Sequence, residues 1–193
     1  MSKHILAFLV LAACGSDSSK TPDAAKKLDA GMIAFTCAGY CTANTATCTG
    51  ANSQWGSMQN CLDTCSHWSM GAMGDTSGDS LGCRIYHTTA AESQPSVHCP
   101  HSGPTGGGQC GTSTCADFCP LETAVCSTAY PATGAQSCAT LCPGFTSTGQ
   151  SYSSADTSGN TIECRFYHLT AAATDPTTHC PHTVADTTGG PCS

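Results

Sequence analysis

The segment CAGYCTANTATCTGANSQWGSMQNCLDTC, residues 37–65, decides the fold. Cys37, Cys41 and Cys48 stand at i, i+4 and i+11. At about 100° per residue they fall within an arc of about 40°, so one helical face carries all three. Cys61 and Cys65 repeat the i, i+4 spacing after a loop rich in Gly and Ser. Two helices that each present a C-x3-C pair predict an antiparallel hairpin stapled face to face. In that arrangement Cys37 pairs with Cys65 and Cys41 with Cys61. Eight cysteines alone would permit about 105 connectivities, and Cys48, Cys83, Cys99 and Cys110 are left to pair among themselves.

The pattern then recurs. Of 17 cysteines, Cys14 stands alone. Cys37, Cys41, Cys48, Cys61, Cys65, Cys83, Cys99 and Cys110 are followed by Cys115, Cys119, Cys126, Cys138, Cys142, Cys164, Cys180 and Cys192 in nearly the same register. The chain therefore reads as a tandem duplication, with module 1 over residues 32–111 and module 2 over 112–193. The matching hairpin pairs are Cys115–Cys142 and Cys119–Cys138, leaving Cys126, Cys164, Cys180 and Cys192. Pro120, directly after Cys119, is expected to kink that helix or delay its start. Modules of this size bury little apolar surface; the second offers Leu121, Val125, Leu141, Ile162, Phe166 and Leu169. Disulfides worth roughly 2–4 kcal/mol each would supply what the core lacks. The predicted fold is mainly α: two small disulfide-stapled modules, each a helical hairpin plus a third helix, with long irregular loops. The twin C-x3-C spacing is similar to that of the small mitochondrial chaperones, in spacing only.

A third helix follows a turn, Asp75-Thr76-Ser77-Gly78 in one copy and Asp156-Thr157-Ser158-Gly159 in the other. Asn160 with Glu163 approximates a capping box. The helix should run from Cys83 to about Glu92 and from Cys164 to about Ala173, stopped by Pro95 and Pro176. Between Cys83–His101 and Cys164–His182, 12 of 19 positions are identical, reading C-R-x-Y-H-x-T-A-A-x-x-x-P-x-x-H-C-P-H. The hairpins share little beyond cysteine, so something constrains this block. Six of the eight histidines lie in it: His87, His98 and His101, then His168, His179 and His182. Three imidazoles converging on a point would suit zinc or copper. The structural alternative has the histidines capping helices, and Arg84 pairing with Asp75 or Asp79.

Charge excludes one class of partner. The modules carry ten acids against Arg84 and Arg165, and phosphate backbones require clustered cations, so nucleic acid is not expected. Two motifs of cofactor and redox chemistry are missing: there is no C-x-x-C-H for haem and no C-x-x-C redox pair. C-x3-C is not a zinc-ribbon spacing. Trp55 and Trp68 are expected to be packing residues.

At the N-terminus, Lys3 and His4 precede the apolar run Ile5–Ala13, an export signal over residues 1–13. Leu11-Ala12-Ala13-Cys14 resembles the lipobox of bacterial lipoproteins, which implies lipidation of Cys14. Residues 14–31 read as a flexible tether. With the C-R-x-Y-H…H-C-P-H block and the paired modules, the chain resembles uncharacterised cysteine-rich lipoproteins of environmental bacteria. That resemblance implies a protein of the cell envelope, anchored to a membrane by lipid at the outer membrane or cell surface. The expected role is non-catalytic: binding of an unidentified protein or envelope ligand, adhesion or envelope structure, without a cofactor. The alternative is a zinc- or copper-binding protein using the histidine triplets.

Overall fold

The computed structural model describes residues 32–112, 114–129, 134, 136–184 and 189–193; the expected signal, Cys14 and the tether lie outside them. The described residues form eight helices and no strand: α1 (Cys37–Thr47), α2 (Met58–Cys65), α3 (Leu81–Ala91), α4 (Pro95–Ser102), α5 (Cys115–Val125), α6 (Cys138–Leu141), α7 (Ile162–Ala172) and α8 (Pro176–His179). The protein is thus mainly helical and stapled by eight disulfides. Residues 33–193 belong to one compact unit.

The hairpins are joined by Cys37–Cys65 with Cys41–Cys61, and by Cys115–Cys142 with Cys119–Cys138. The remaining cysteines pair as Cys48–Cys99 and Cys83–Cys110, and as Cys126–Cys180 and Cys164–Cys192. The first of each set ties the hairpin to α4 or to the turn after α8. The second ties the start of α3 or α7 to the end of its half.

Several local details differ from the sequence reading. Pro120 sits inside α5, which nevertheless begins at Cys115 behind the Thr114 cap; disulfides at Cys119 and at Cys126, just past the helix end, flank the proline. Thr161, not Asn160, caps α7 by accepting from the Cys164 N–H. Glu163 instead receives Ser147 Oγ and the Thr148 N–H. Pro95 and Pro176 do more than end a helix: each opens the next one from its first turn, where a missing N–H costs nothing.

Module 1 packs Tyr40, Trp55, Leu81 and Ile85 with its hairpin cysteines. Tyr40 meets Trp55 and Trp68 edge to face at 6.4 and 5.8 Å. Module 2 packs Phe118, Leu121, Tyr152, Ile162, Phe166 and Leu169, so Phe118 and Tyr152 complete a core that reads as sparse from its aliphatics. The halves meet where α2 lies against α7. There Ser154 N donates to Ser53 O at 2.7 Å, Gln54 Nε2 to Tyr152 O at 3.2 Å, and Thr174 Oγ1 to Asn60 Oδ1 at 3.0 Å.

Two arginines lock α3 and α7 in place. Arg84 is fully buried. It donates to Asp79 Oδ1 at 2.7 Å and to the Gly103 carbonyl just beyond α4 at 3.2 Å, with its guanidinium over the Trp68 ring. Arg165 donates to Asn160 Oδ1 at 2.9 Å and to the Cys192 carbonyl at 3.0 Å, and lies over Phe145.

A second pair of equivalent positions has diverged. Asn44, seven residues after the first hairpin cysteine, donates to Thr88 Oγ1 and Ser102 Oγ. The same position in module 2 is Glu122, buried, with Oε1 unpartnered among the described residues. Burial pushes its carboxyl up to about 7, because a lone carboxylate is costly to hold away from water.

Two expectations follow. A carboxyl pKa raised in the folded state makes that state bind the proton more tightly, so its contribution is complete below about 4.5 and is lost as pH rises to about 7. Glu122→Gln should remove that slope and raise stability at pH 8 by about 2 kcal/mol; denaturant unfolding at pH 5 and pH 8 checks it. Arg84→Ala should cost about 3 kcal/mol, whereas Asp79→Asn should cost less than about 1 kcal/mol. Asn160 already fills the Asp79 role in module 2, and melting curves of the two variants give the comparison.

Candidate functional site: two histidine clusters

Each module gathers its three histidines. His87 projects from α3 one turn beyond Cys83. His98 and His101 lie one turn apart on α4, rather than across an irregular turn as the proline in His98-Cys99-Pro100-His101 suggests. Helix α4 packs along α3, which carries both imidazoles to His87. The rings of His87 and His98 stack with centroids 5.2 Å apart, and His101 meets His87 edge to face at 4.8 Å. Module 2 repeats this with His168 on α7, His179 at the end of α8 and His182 in the turn Cys180–His182. Its centroid distances are 5.2 Å for His168–His179 and 4.6 Å for His168–His182. In both modules one ring nitrogen from each histidine lies within 4.8 Å of the others.

The backbone fixes how the central ring presents itself. His87 Nε2 lies 3.1 Å from the Thr76 carbonyl, and His168 Nε2 lies 3.3 Å from the Thr157 carbonyl. A carbonyl only accepts, so each Nε2 carries the hydrogen. The neutral ring's other nitrogen, Nδ1, is then a bare lone pair. Those lone pairs face the cluster: His87 Nδ1 is 2.9 Å from His98 Nδ1, and His168 Nδ1 is 2.9 Å from His179 Nδ1. His182 Nδ1 stands 3.2 Å from the same His168 atom.

Burial favours the neutral form of four of these rings. Burial lowers the pKa of His87, against a raising effect of the Thr76 carbonyl and with help from His98. Burial also lowers His101, reinforced by His87 and His98. It lowers His168 to about 4, with His182 and His179 adding to the fall. His179 is lowered by burial too, and Asp175 opposes the shift.

Ordinary hydrogen bonding does not satisfy this arrangement. One imidazole lone pair accommodates one N–H donor, yet His179 and His182 both converge on His168 Nδ1. His101 Nδ1 is buried without a partner among the described residues, and such orphaned atoms are uncommon and call for a cause. Three neutral nitrogen donors, with the outward N–H of the central ring held by a backbone carbonyl, form a donor set for a transition-metal ion. Beneath each central histidine lies a disulfide: Cys83–Cys110 under His87 and Cys164–Cys192 under His168, their sulfurs and a ring nitrogen also within 4.8 Å.

All six histidines singled out in the sequence are therefore assembled, three and three. The sequence did not reveal the roles of Thr76 and Thr157. A signal existed, since both threonines sit in the repeated D-T-S-G turn, but a backbone carbonyl leaves no mark on residue type. Arg84 takes the structural role foreseen for it and chooses Asp79 over Asp75.

Fold and site define a class: a disulfide-stapled helical repeat protein with one three-imidazole cluster per repeat. The chain belongs to the BfoA family, whose C-terminal domain profile matches residues 9–117. It is 38% identical over 71 residues to the Aurasperone B biosynthesis cluster protein A of Aspergillus niger, covering 36% of this chain and 23% of that protein. It is 35% identical over 71 residues to the Bifonsecin B biosynthesis cluster protein A of Aspergillus brasiliensis, covering 36% of this chain and 24% of that one. A putative EGF-like domain-containing protein of Acanthamoeba polyphaga mimivirus is 34% identical over 76 residues, 37% of this chain and 14% of its own length. The chain thus spans less than a quarter of each of these relatives. No solved structure matches it.

These findings correct the resemblance to cysteine-rich bacterial lipoproteins. The family is a different one, and the relatives are fungal and viral. The lipobox is a bacterial processing signal, so the reading of Leu11–Cys14 as a lipid anchor loses its ground. No helix among the described residues is long and apolar enough to cross a membrane. The fungal relatives are named as biosynthesis cluster proteins, not as enzymes.

Proposed function

We propose that this chain is a non-catalytic metal-binding protein in which each module holds one divalent transition-metal ion, zinc or copper, on three imidazoles. His87, His98 and His101 form the first site and His168, His179 and His182 the second. One observation carries the reading: two ring nitrogens converge on the single lone pair of His168 Nδ1, a geometry that a shared cation resolves and hydrogen bonds do not. The broader expectation of adhesion or envelope structure rests on the disulfide scaffold alone, whereas the clusters supply a specific chemistry. Eight disulfides favour an oxidising, extracytoplasmic setting. The names of the fungal relatives are compatible with an accessory role beside biosynthetic enzymes. No partner beyond the ion is needed for this reading.

Metal content of the oxidised protein, measured after equilibration with zinc or copper and removal of excess, tests the proposal. Two ions per chain are expected. The pair His98→Ala with His101→Ala should remove one ion and leave the melting midpoint of the metal-free protein within about 5 °C of the parent. Retention of both ions by that variant, or no ion in the parent, overturns the reading.

A further inference from the structure

We infer that each cluster is a cap for copper(II) on one side only, leaving the ion's outer face open to an exogenous anion. The inference rests on the metal reading above and adds which ion is taken and what else it binds.

The donor spacing selects the geometry. Two nitrogens each 2.0–2.1 Å from one ion and 2.9 Å apart subtend about 90° at that ion. A tetrahedral site of the same bond length would spread them to roughly 3.3 Å. The 2.9 Å spacing appears once in each module, and the 3.2 Å separation of His182 from His168 corresponds to about 100°. Near-right angles between nitrogen donors belong to tetragonal copper(II) more than to structural zinc, and copper(II) also stands highest in the divalent affinity order.

The composition of the cap leaves the ion's charge in place. All three donors are imidazoles, and among the described residues no carboxylate is part of either donor set; Asp175, which acts on His179 from outside the second set, offsets the charge there only in part. The sulfurs beneath His87 and His168 are committed to disulfides, so they offer no thiolate. A divalent ion held by neutral donors keeps its full positive charge in a partly desolvated place, which favours an anion in its remaining positions. Access is offered past the outer rings of each cluster. His87 and His168 are buried on α3 and α7, while His98, His101, His179 and His182 are only partly covered. The ligand class is therefore a small monovalent anion or an anionic oxygen of a larger molecule.

Azide is the probe. The full chain loaded with copper(II) should show a tetragonal electron paramagnetic resonance signal with nitrogen hyperfine structure. Azide should shift that signal and generate an azide-to-copper charge-transfer band with saturable dependence on concentration. Both effects should vanish in the double variant His98→Ala, His179→Ala. Copper held through the histidines with spectra unmoved by azide overturns the open-face inference and leaves the metal site standing. Zinc that outcompetes equimolar copper(II) overturns the choice of ion. Absence of copper from the parent, or equal copper in the double variant, overturns the metal reading and this inference together.

Discussion

Cross-linking by disulfides is the constraint on which everything else rests. Modules with so few large aliphatic side chains cannot offset the entropy of ordering the backbone by burial alone. The disulfides reduce the entropy of the unfolded chain instead, and they do so at chosen places. Two join the arms of each hairpin, one joins the hairpin to the α4 or α8 region, and one joins the start of α3 or α7 to the end of the half. The last two matter most for the histidines. Cys99 sits between His98 and His101, and Cys83 sits one turn before His87, so both sides of each cluster are fixed by covalent bonds.

This leaves the polar interior free to serve geometry. Arg84 is buried not to add stability by its charge but because its fork reaches Asp79 and the carbonyl beyond α4 at once. The bond to Gly103 ties α3 to the end of α4, and the bond to Asp79 ties it to the turn before its own first residue. Arg165 repeats the device with an amide in place of a carboxylate. The substitution shows that the directed hydrogen bond, more than the ion pair, is the retained element. Glu122 shows the opposite drift, an acid where module 1 has an amide. It is accommodated by remaining largely protonated below about pH 7.

Cysteine spacing made the helical class, the hairpins and their pairing legible, because a covalent partner must share a face and a distance. The third helix was legible from its turn and its prolines. What escaped depends on three-dimensional context. Phe118 and Tyr152 become core only when α5 and the 152–154 loop meet α7. Thr161 replaces Asn160 as the cap because Arg165 recruits the asparagine. Of the site, sequence repetition identified every histidine. Their convergence required the packing of α4 on α3, and the carbonyls of Thr76 and Thr157 act through atoms that every residue possesses. The lipobox reading failed for another reason: four residues carry too little information to fix a lineage.

Each of the eight disulfides closes within one half of the protein, while the contacts between halves are hydrogen bonds and packing. The stretch from Cys110 to Cys115 is then a seam in heredity as well as in structure. A recombination breakpoint there transmits a unit with every sulfur matched and its histidine trio intact, whereas a breakpoint inside a half that is out of register between the copies strands thiols. Arrays of different length can therefore arise by unequal exchange at such seams without passing through a misoxidised intermediate.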